Sequence, residues 1–198
     1  MYSILAGLMI SLGCIVYLQI GGVAGALLFS LGLISIIVFE FDLFTGKAGL
    51  LATKEITPLR LFGIWVGNLC GMFAAAAIMR LTPVGLKIGE AATAITATRL
   101  ANGPLANIIL GCGCGILMYL AVTLSKKKHS PVYAIMPVAA FILSGFNHCV
   151  ADMFYYFVAK APYEVWLTII PTTLGNIIGC NLLPIGIKLH QWLKNRLS

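Results

Sequence analysis

The amino-acid sequence predicts an all-α membrane protein of six transmembrane spans, arranged as two inverted three-span repeats with spans two and five broken. Three observations carry this expectation. The chain is 60% hydrophobic and only 10% charged, with a mean hydropathy of +1.00, whereas a soluble domain carries roughly 25% charge. Two of its apolar segments are interrupted by polar or charged residues where a span should be driest. The two halves also share sequence features at a nearly constant offset.

Span one covers residues 3–20 and stops at Gly21-Gly22. Span two begins near Val23 and stays apolar to Phe39. It then meets E-F-D-L-F-T-G-K at 40–47 and resumes with A-G-L-L-A. Irregular backbone at membrane depth is tolerated only when buried in protein or lining a cavity, so this segment reads as a broken helix. The polar stretch K-E-I-T-P-L-R at 54–60 precedes span three, about 61–81. From Thr82 to about Gly103 a loop carries Lys87, Glu90 and Arg99, and either holds a short amphipathic piece or extends the next helix. Span four covers about 105–124 and ends at S-K-K-K-H-S. Span five begins near Pro131. The 30 residues from there to Lys160 would reach about 45 Å as one helix, against about 30 Å of hydrocarbon. It must tilt strongly or break, and the place for a break is F-I-L-S-G-F-N-H-C-V-A-D-M-F-Y-Y at 141–156. Span six runs over about 164–187, before a basic tail.

The repeat rests on two matches. V-G-N-L-C-G at 66–71 corresponds to L-G-N-I-I-G at 174–179, an offset of 108, and F-D-L-F-T from Phe41 corresponds to F-N-H-C-V from Phe146, an offset of 105. Three spans per copy is an odd number, so the copies (about 1–85 and about 103–198 of a single transport domain) must be inserted with opposite topology. Orientation follows from the basic residues. With the N-terminus inside, Lys54, Arg60, Lys126, Lys127, Lys128, Lys188, Lys194 and Arg196 lie inside, against Arg80, Lys87, Arg99 and Lys160 outside. Eight against four predicts cytoplasmic N- and C-termini in the cell membrane. Residues 1–20 lack the basic start of a cleavable signal peptide. The formal charge of +7 therefore reports topology and anionic lipid headgroups, not nucleic acid. The six cysteines lie in apolar segments and form no C-x-x-C, so neither a metal site nor a disulfide framework is expected.

Within this frame the chemistry concentrates at His148 and Asp152, ionisable residues in an apolar run. A charge at bilayer depth costs about 2.5–3.5 kcal/mol by insertion scales, so such groups face a cavity or a polar partner. Four residues apart, they share one face of a helix. The bland alternative is a His–Asp pair tying helices together. Histidine exchanges protons between pH 5 and 8, which suits a solute that crosses apolar constrictions more cheaply as a neutral acid than as an anion. Asp152 can then hold the ring in one tautomer, handle the proton, or serve structure alone. Thr45 offers a small hydroxyl donor in the first break. Asp42 and Lys47 most simply pair with each other, and the lysines at 126–128 read as a topology signal.

These residues together resemble the formate/nitrite transporter family. The resemblance lies in G-A-L-L-F-S-L-G-L (25–33), D-L-F-T-G (42–46), G-N-L-C-G (67–71), G-F-N-H-C-V-A-D-M-F (145–154) and L-G-N-I-I-G (174–179). It implies an aquaporin-like fold, a homopentamer with one pore per protomer, and passage of small monovalent anions of weak acids. Under it His148 is the central pore histidine and Thr45 the loop threonine that bonds the histidine or the substrate. Phe29 and Phe141 correspond to a cytoplasmic-side constriction, and Leu43 and Phe44 to an apolar collar. Arg99, or less directly Lys87, stands where the family has a vestibule lysine, drawing anions by long-range attraction. Three positions depart from the family pattern: Asn147 replaces a glutamate, Asp152 an asparagine, and Gly115 a fourth-span asparagine. The expectation is a channel or proton-coupled transporter for formate, nitrite or hydrosulfide, with no cofactor and no enzymatic activity. Two other classes are weighed against it. A neutral-solute pore of aquaporin or ammonia type lacks its paired N-P-A and has only one mid-membrane histidine here. An intramembrane hydrolase using Asp42 and Asp152 lacks a G-x-G-D-like setting.

Overall fold

The computed structural model describes residues 1–197, and every regular element among them is helical. α1 (Tyr2–Ile20) and α2 (Gly22–Val38) are joined at Gly21 and Gly22, whose φ values of 68° and 56° fall in the left-handed region that glycine enters at little cost. After a break at 39–43 come two short helices, α3 (Phe44–Ala48) and α4 (Leu50–Thr53). α5 (Pro58–Met79) starts with Thr57, whose side chain accepts from the Arg60 N–H, and with Pro58 in the first turn. Proline fits there because that N–H has no helical partner to lose.

α6 (Pro83–Lys127) begins the same way, with Thr82 as cap and Pro83 next, but is interrupted at Gly103 (φ 72°, ψ 174°), just before Pro104. The region 82–103 is thus helical along most of its length, longer than the short piece expected and set off from the next helix by the kink at Gly103. A short 3₁₀ turn (Pro131–Ala134) leads into α7 (Ile135–Leu143). A second break at 144–148 separates it from α8 (Cys149–Val158). α9 (Tyr163–Trp166) is a single turn, and α10 (Ile169–Leu197) runs ten residues beyond the expected end of the sixth span. Among the described residues, four segments are long and apolar enough to cross a membrane: Tyr2–Ile20, Pro58–Met79, Pro83–Lys127 and Tyr163–Leu197. The shorter apolar helices, α2 and α7 with α8, flank the two breaks.

The breaks share one backbone trace. In the first, Phe39 N–H bonds Ser35 O and Phe41 N–H bonds Ile36 O, both at 3.0 Å. In the second, Ser144 N–H bonds Ala140 O and Phe146 N–H bonds Phe141 O, again at 3.0 Å. Each turn passes through a left-handed residue, Glu40 at φ 55° and Gly145 at φ 70°. Each is fastened by one asparagine from a neighbouring helix. Asn68 of α5 accepts from Phe44 N–H at 2.8 Å and donates to Asp42 O at 2.9 Å and Ser3 O at 2.7 Å. Asn176 of α10 accepts from Cys149 N–H at 2.9 Å and donates to Asn147 O at 2.8 Å and Gly111 O at 2.9 Å. These are the asparagines of the two G-N-x-x-G motifs, and they satisfy backbone groups that a helix break leaves open in an apolar interior.

Both asparagine helices lie close against a partner helix. A side chain at Gly7 of α1 would meet the backbone of Asn68 and Gly71, and one at Gly115 of α6 would meet that of Asn176 and Gly179. Gly115 is therefore a packing position. The asparagine that reaches the second break from α6 is Asn107, whose Oδ1 accepts from Asn147 Nδ2 at 2.8 Å.

Candidate functional site

The second break ends at His148, which caps α8. Its Nδ1 accepts a hydrogen bond from the Ala151 N–H at 3.1 Å. An imidazole nitrogen that accepts carries no proton, so the neutral ring holds its proton on Nε2. Nε2 lies 2.9 Å from Thr45 Oγ1 and donates to it. The contact joins the two breaks across 103 residues of chain. Thr45 enters from α3 and is buried, and its hydroxyl hydrogen has no acceptor among the described residues. The backbone restrains the site as well: Cys180 Sγ of α10 donates to the Thr45 carbonyl at 3.3 Å.

Aromatic rings close over the histidine. Phe141 stacks on it at 5.6 Å between ring centroids, and Phe29 of α2 meets Phe141 edge-on at 5.9 Å. Phe29, Phe141, Leu43 and Phe44 are all at most 3% exposed. Leu43 caps α3 in the position that His148 takes for α8. Phe44, expected beside it in the collar, lines a separate apolar crevice with Pro58, Trp65 and Thr173.

Two cavities approach this barrier. One of about 150 Å³ is lined by Tyr17, Arg99, Phe141, Ile142, Gly145, Phe146, His148, Ala151 and Asp152, among others. The other, about 330 Å³, is lined by Ile36, Ile37, Glu40, Phe41, Leu43, Gly46, Lys47, Val122 and Lys126, among others. Ile36, Ile37, Glu40, Phe41, Leu43, Gly46 and Lys47 are each related to a residue of the first cavity by the same offset of 105 that aligns the breaks in the sequence. Val122 stands at that offset from Tyr17. The equivalent positions differ in chemistry: Leu43 against His148, and Lys47 against Asp152.

Asp152 does not hold the histidine. Both its carboxylate oxygens accept from Arg99 Nε, at 3.2 and 3.3 Å, and the Ala151 N–H sets the tautomer. Arg99 is itself only 8% exposed. An ion pair acts at a distance as a dipole, so Arg99 brings local donors to the cavity more than a long-range attraction. Arg99 and Phe141 line the same cavity, so the cation expected at the vestibule and the phenylalanine expected at the cytoplasmic-side constriction lie together and not at opposite mouths. Lys87 is exposed and does not line that cavity. Asn147 points into helix packing: its Nδ2 donates to Asn107, whose own Nδ2 donates to Arg99 O at 2.8 Å. Asp42 and Lys47 pair at 3.3 Å, as expected. Asn107, Tyr17 and Tyr155 were not singled out by sequence reasoning. Only Asn107, a polar residue inside an apolar run, carried a signal that could have found it.

The family model described as Formate/nitrite transporter matches residues 1–189. A formate channel of Haemophilus influenzae is 28% identical over an alignment of 202 residues, covering 78% of this chain and 69% of that protein. A solved structure described as a pentameric formate channel with formate bound is 28% identical, with a TM-score of 0.76 over 98% of this chain and 95% of that one. A second, an FNT family ion channel, is 22% identical with a TM-score of 0.80, covering 97% of this chain and 88% of that one, and bears on the fold alone.

Proposed function

Because this chain belongs to the formate/nitrite transporter family, whose members here are channels and transporters and not enzymes, we propose that it passes formate, or a weak-acid monoanion of similar size such as nitrite or hydrosulfide, through a pore within each protomer of a homopentamer. The observation that carries this reading is the pair of cavities with matching linings, which approach one barrier where Thr45 and His148 bond. The same correspondence supports six spans in two inverted repeats, with the two asparagines as equivalent fasteners and the cavities as the two mouths.

The physical task is to move a small anion through an apolar collar. Leaving water as a bare anion is costly, while the neutral acid crosses at far lower cost. Thr45, held by the imidazole Nε2–H, presents its hydroxyl to the anion. Once protonated at Nδ1, with the Ala151 N–H bond given up, the adjacent His148 supplies the proton that renders it neutral and returns to the neutral ring. Basic-residue asymmetry supports cytoplasmic termini in the cell membrane, which puts the Lys126 cavity inside and the Arg99 cavity outside.

The test is flux of formate into proteoliposomes containing the purified chain. Uptake above that of empty vesicles, lost in His148→Asn with the oligomer intact, is the expected result. No formate, nitrite or hydrosulfide flux under any gradient would overturn the reading.

A further inference from the structure

The crevice lined by Phe44 opens on the flank of the protomer, between the start of α5 and the first half of α10. Its floor is buried, with Phe44, Leu61 and Ile169 at most 4% exposed, whereas Phe62, Ile170 and Leu174 stand open at its rim. The lining holds one indole N–H and one hydroxyl, and these bond each other, Trp65 Nε1 donating to Thr173 Oγ1 at 3.3 Å. The crevice follows α5 from Pro58 to Trp65 and α10 from Ile169 to Ile177. That is about 12 Å at 1.5 Å per residue, most of the ~15 Å of hydrocarbon in one leaflet. Its volume of about 330 Å³ spread over that length gives a mean section of roughly 30 Å², room for one hydrocarbon chain and not for a helix about 10 Å across. One end is cationic. Leu51 of α4 and Pro58 of α5 both line the crevice, and the loop between them carries Lys54, exposed at a left-handed φ of 61°. Lys188 of α10 donates from Nζ to Ala52 O at 2.7 Å and brings a second exposed ammonium to that loop. Glu55, the acid beside them, lines a different cavity with Lys126 and Lys127.

We propose that this crevice binds one acyl chain of an anionic phospholipid, with the lipid phosphate on Lys54 and Lys188, and that the bound chain steadies the helix carrying Thr45. Lipid tails are as apolar as the crevice, so packing and not water release seats the chain. The preference for an anionic headgroup comes from the two ammonium groups, about fivefold for each lysine at the membrane surface. The seated chain bears on Phe44, whose neighbour Thr45 bonds His148. It thus backs α3 on the face turned away from the two cavities. Binding rests on the crevice alone, while its effect on formate flux rests on the transport reading above.

The test uses the full chain with Trp166→Phe and Trp192→Phe, which leave Trp65 as its one tryptophan, in phosphatidylcholine vesicles. Phosphatidylglycerol brominated on its acyl chains should quench Trp65 saturably at low mole fraction, and brominated phosphatidylcholine at the same fraction should quench far less. Lys54→Gln with Lys188→Gln should weaken the phosphatidylglycerol effect about 25-fold, the product of two lysines. Formate flux of the unsubstituted chain should rise when phosphatidylglycerol is added to phosphatidylcholine vesicles. Equal quenching by the two lipids overturns the site, and so does quenching by neither, the result that a neighbouring protomer seated on the crevice would give. Where a variant fails to assemble, selective retention of phosphatidylglycerol over phosphatidylcholine by the wild-type chain in native mass spectrometry decides. Selective quenching without formate flux in any lipid overturns the transport reading and leaves the site standing. Selective quenching with a flux indifferent to phosphatidylglycerol overturns the support of Thr45.

Discussion

At the level of single residues, the site is decided by which partner each buried polar group takes. His148 and Asp152 share a helical face in the sequence, and that spacing suggests a direct pair. The fold separates them, because Arg99 reaches Asp152 first and Ala151 caps the ring. Nothing in the local sequence reveals this, since the guanidinium arrives from 53 residues away. One consequence is testable. Asp152→Asn leaves the cation of Arg99 in an apolar setting without its counter-charge, and losing one partner of a buried pair costs roughly 3–5 kcal/mol. The purified variant should unfold at markedly lower temperature than wild type. A melting temperature within a degree or two of wild type would show that water reaches the pair freely.

Thr45 makes a sharper prediction about chemistry. Thr45→Val keeps the shape of the side chain but removes the acceptor of the Nε2–H and the free hydroxyl. Formate flux should fall at least about tenfold, the scale of one lost hydrogen bond to a charged solute, with the oligomer unchanged on gel filtration. Retained flux would mean that the solute passes without touching this hydroxyl.

At the scale of the element, the breaks decide whether there is a pore. Both were legible in the sequence: one from three charges in an apolar run, the other from a segment too long for one helix. Their fastening was not. The G-N-x-x-G motifs marked a repeat, but only packing shows that Asn68 and Asn176 each make three hydrogen bonds to a break and its neighbouring helix. Removing either side chain leaves buried backbone donors and acceptors open, at about 1–3 kcal/mol each. Asn176→Ala should therefore cost several kcal/mol, and Asn68→Ala a similar amount, measured by thermal unfolding in detergent. Stability unchanged in either variant would break the equivalence of the two halves. Gly145 gives a smaller, purely conformational test. A side chain there has open space around it but must sit at a left-handed φ, so Gly145→Ala should destabilise by about 1–2 kcal/mol.

Boundaries were less legible where helices continue through polar sequence. The stretch after Thr82 carries charges and reads as a loop, yet it is helical because Thr82 and Pro83 start it well and only Gly103 interrupts it. The collar was half legible: Leu43 lines a cavity, whereas Phe44, its neighbour in sequence, points to another face of the same short helix.

At the scale of the whole molecule, the outer surface is apolar over long stretches, with Leu12, Leu31, Phe62, Phe73, Ile109 and Ile170 all exposed. Such a surface suits lipid and neighbouring protomers, not water. If each protomer of a pentamer conducts independently, mixed assemblies of wild-type and His148→Asn subunits should lose flux in proportion to the mutant fraction. A single mutant subunit that silenced the assembly would place the path between protomers.

In the proposed function a weak acid crosses the Thr45–His148 barrier together with a proton. A neutral acid leaves no net charge behind, so its flux should follow the pH gradient and not the voltage. The direct measurement is formate uptake into proteoliposomes at set pH gradients, with membrane potential clamped at several values. Inward flux should rise as the outside pH falls, be accompanied by protons, and be lost in His148→Asn. Flux that followed voltage alone and ignored the pH gradient would mean that the anion crosses charged, with His148 lining the path and sharing no proton.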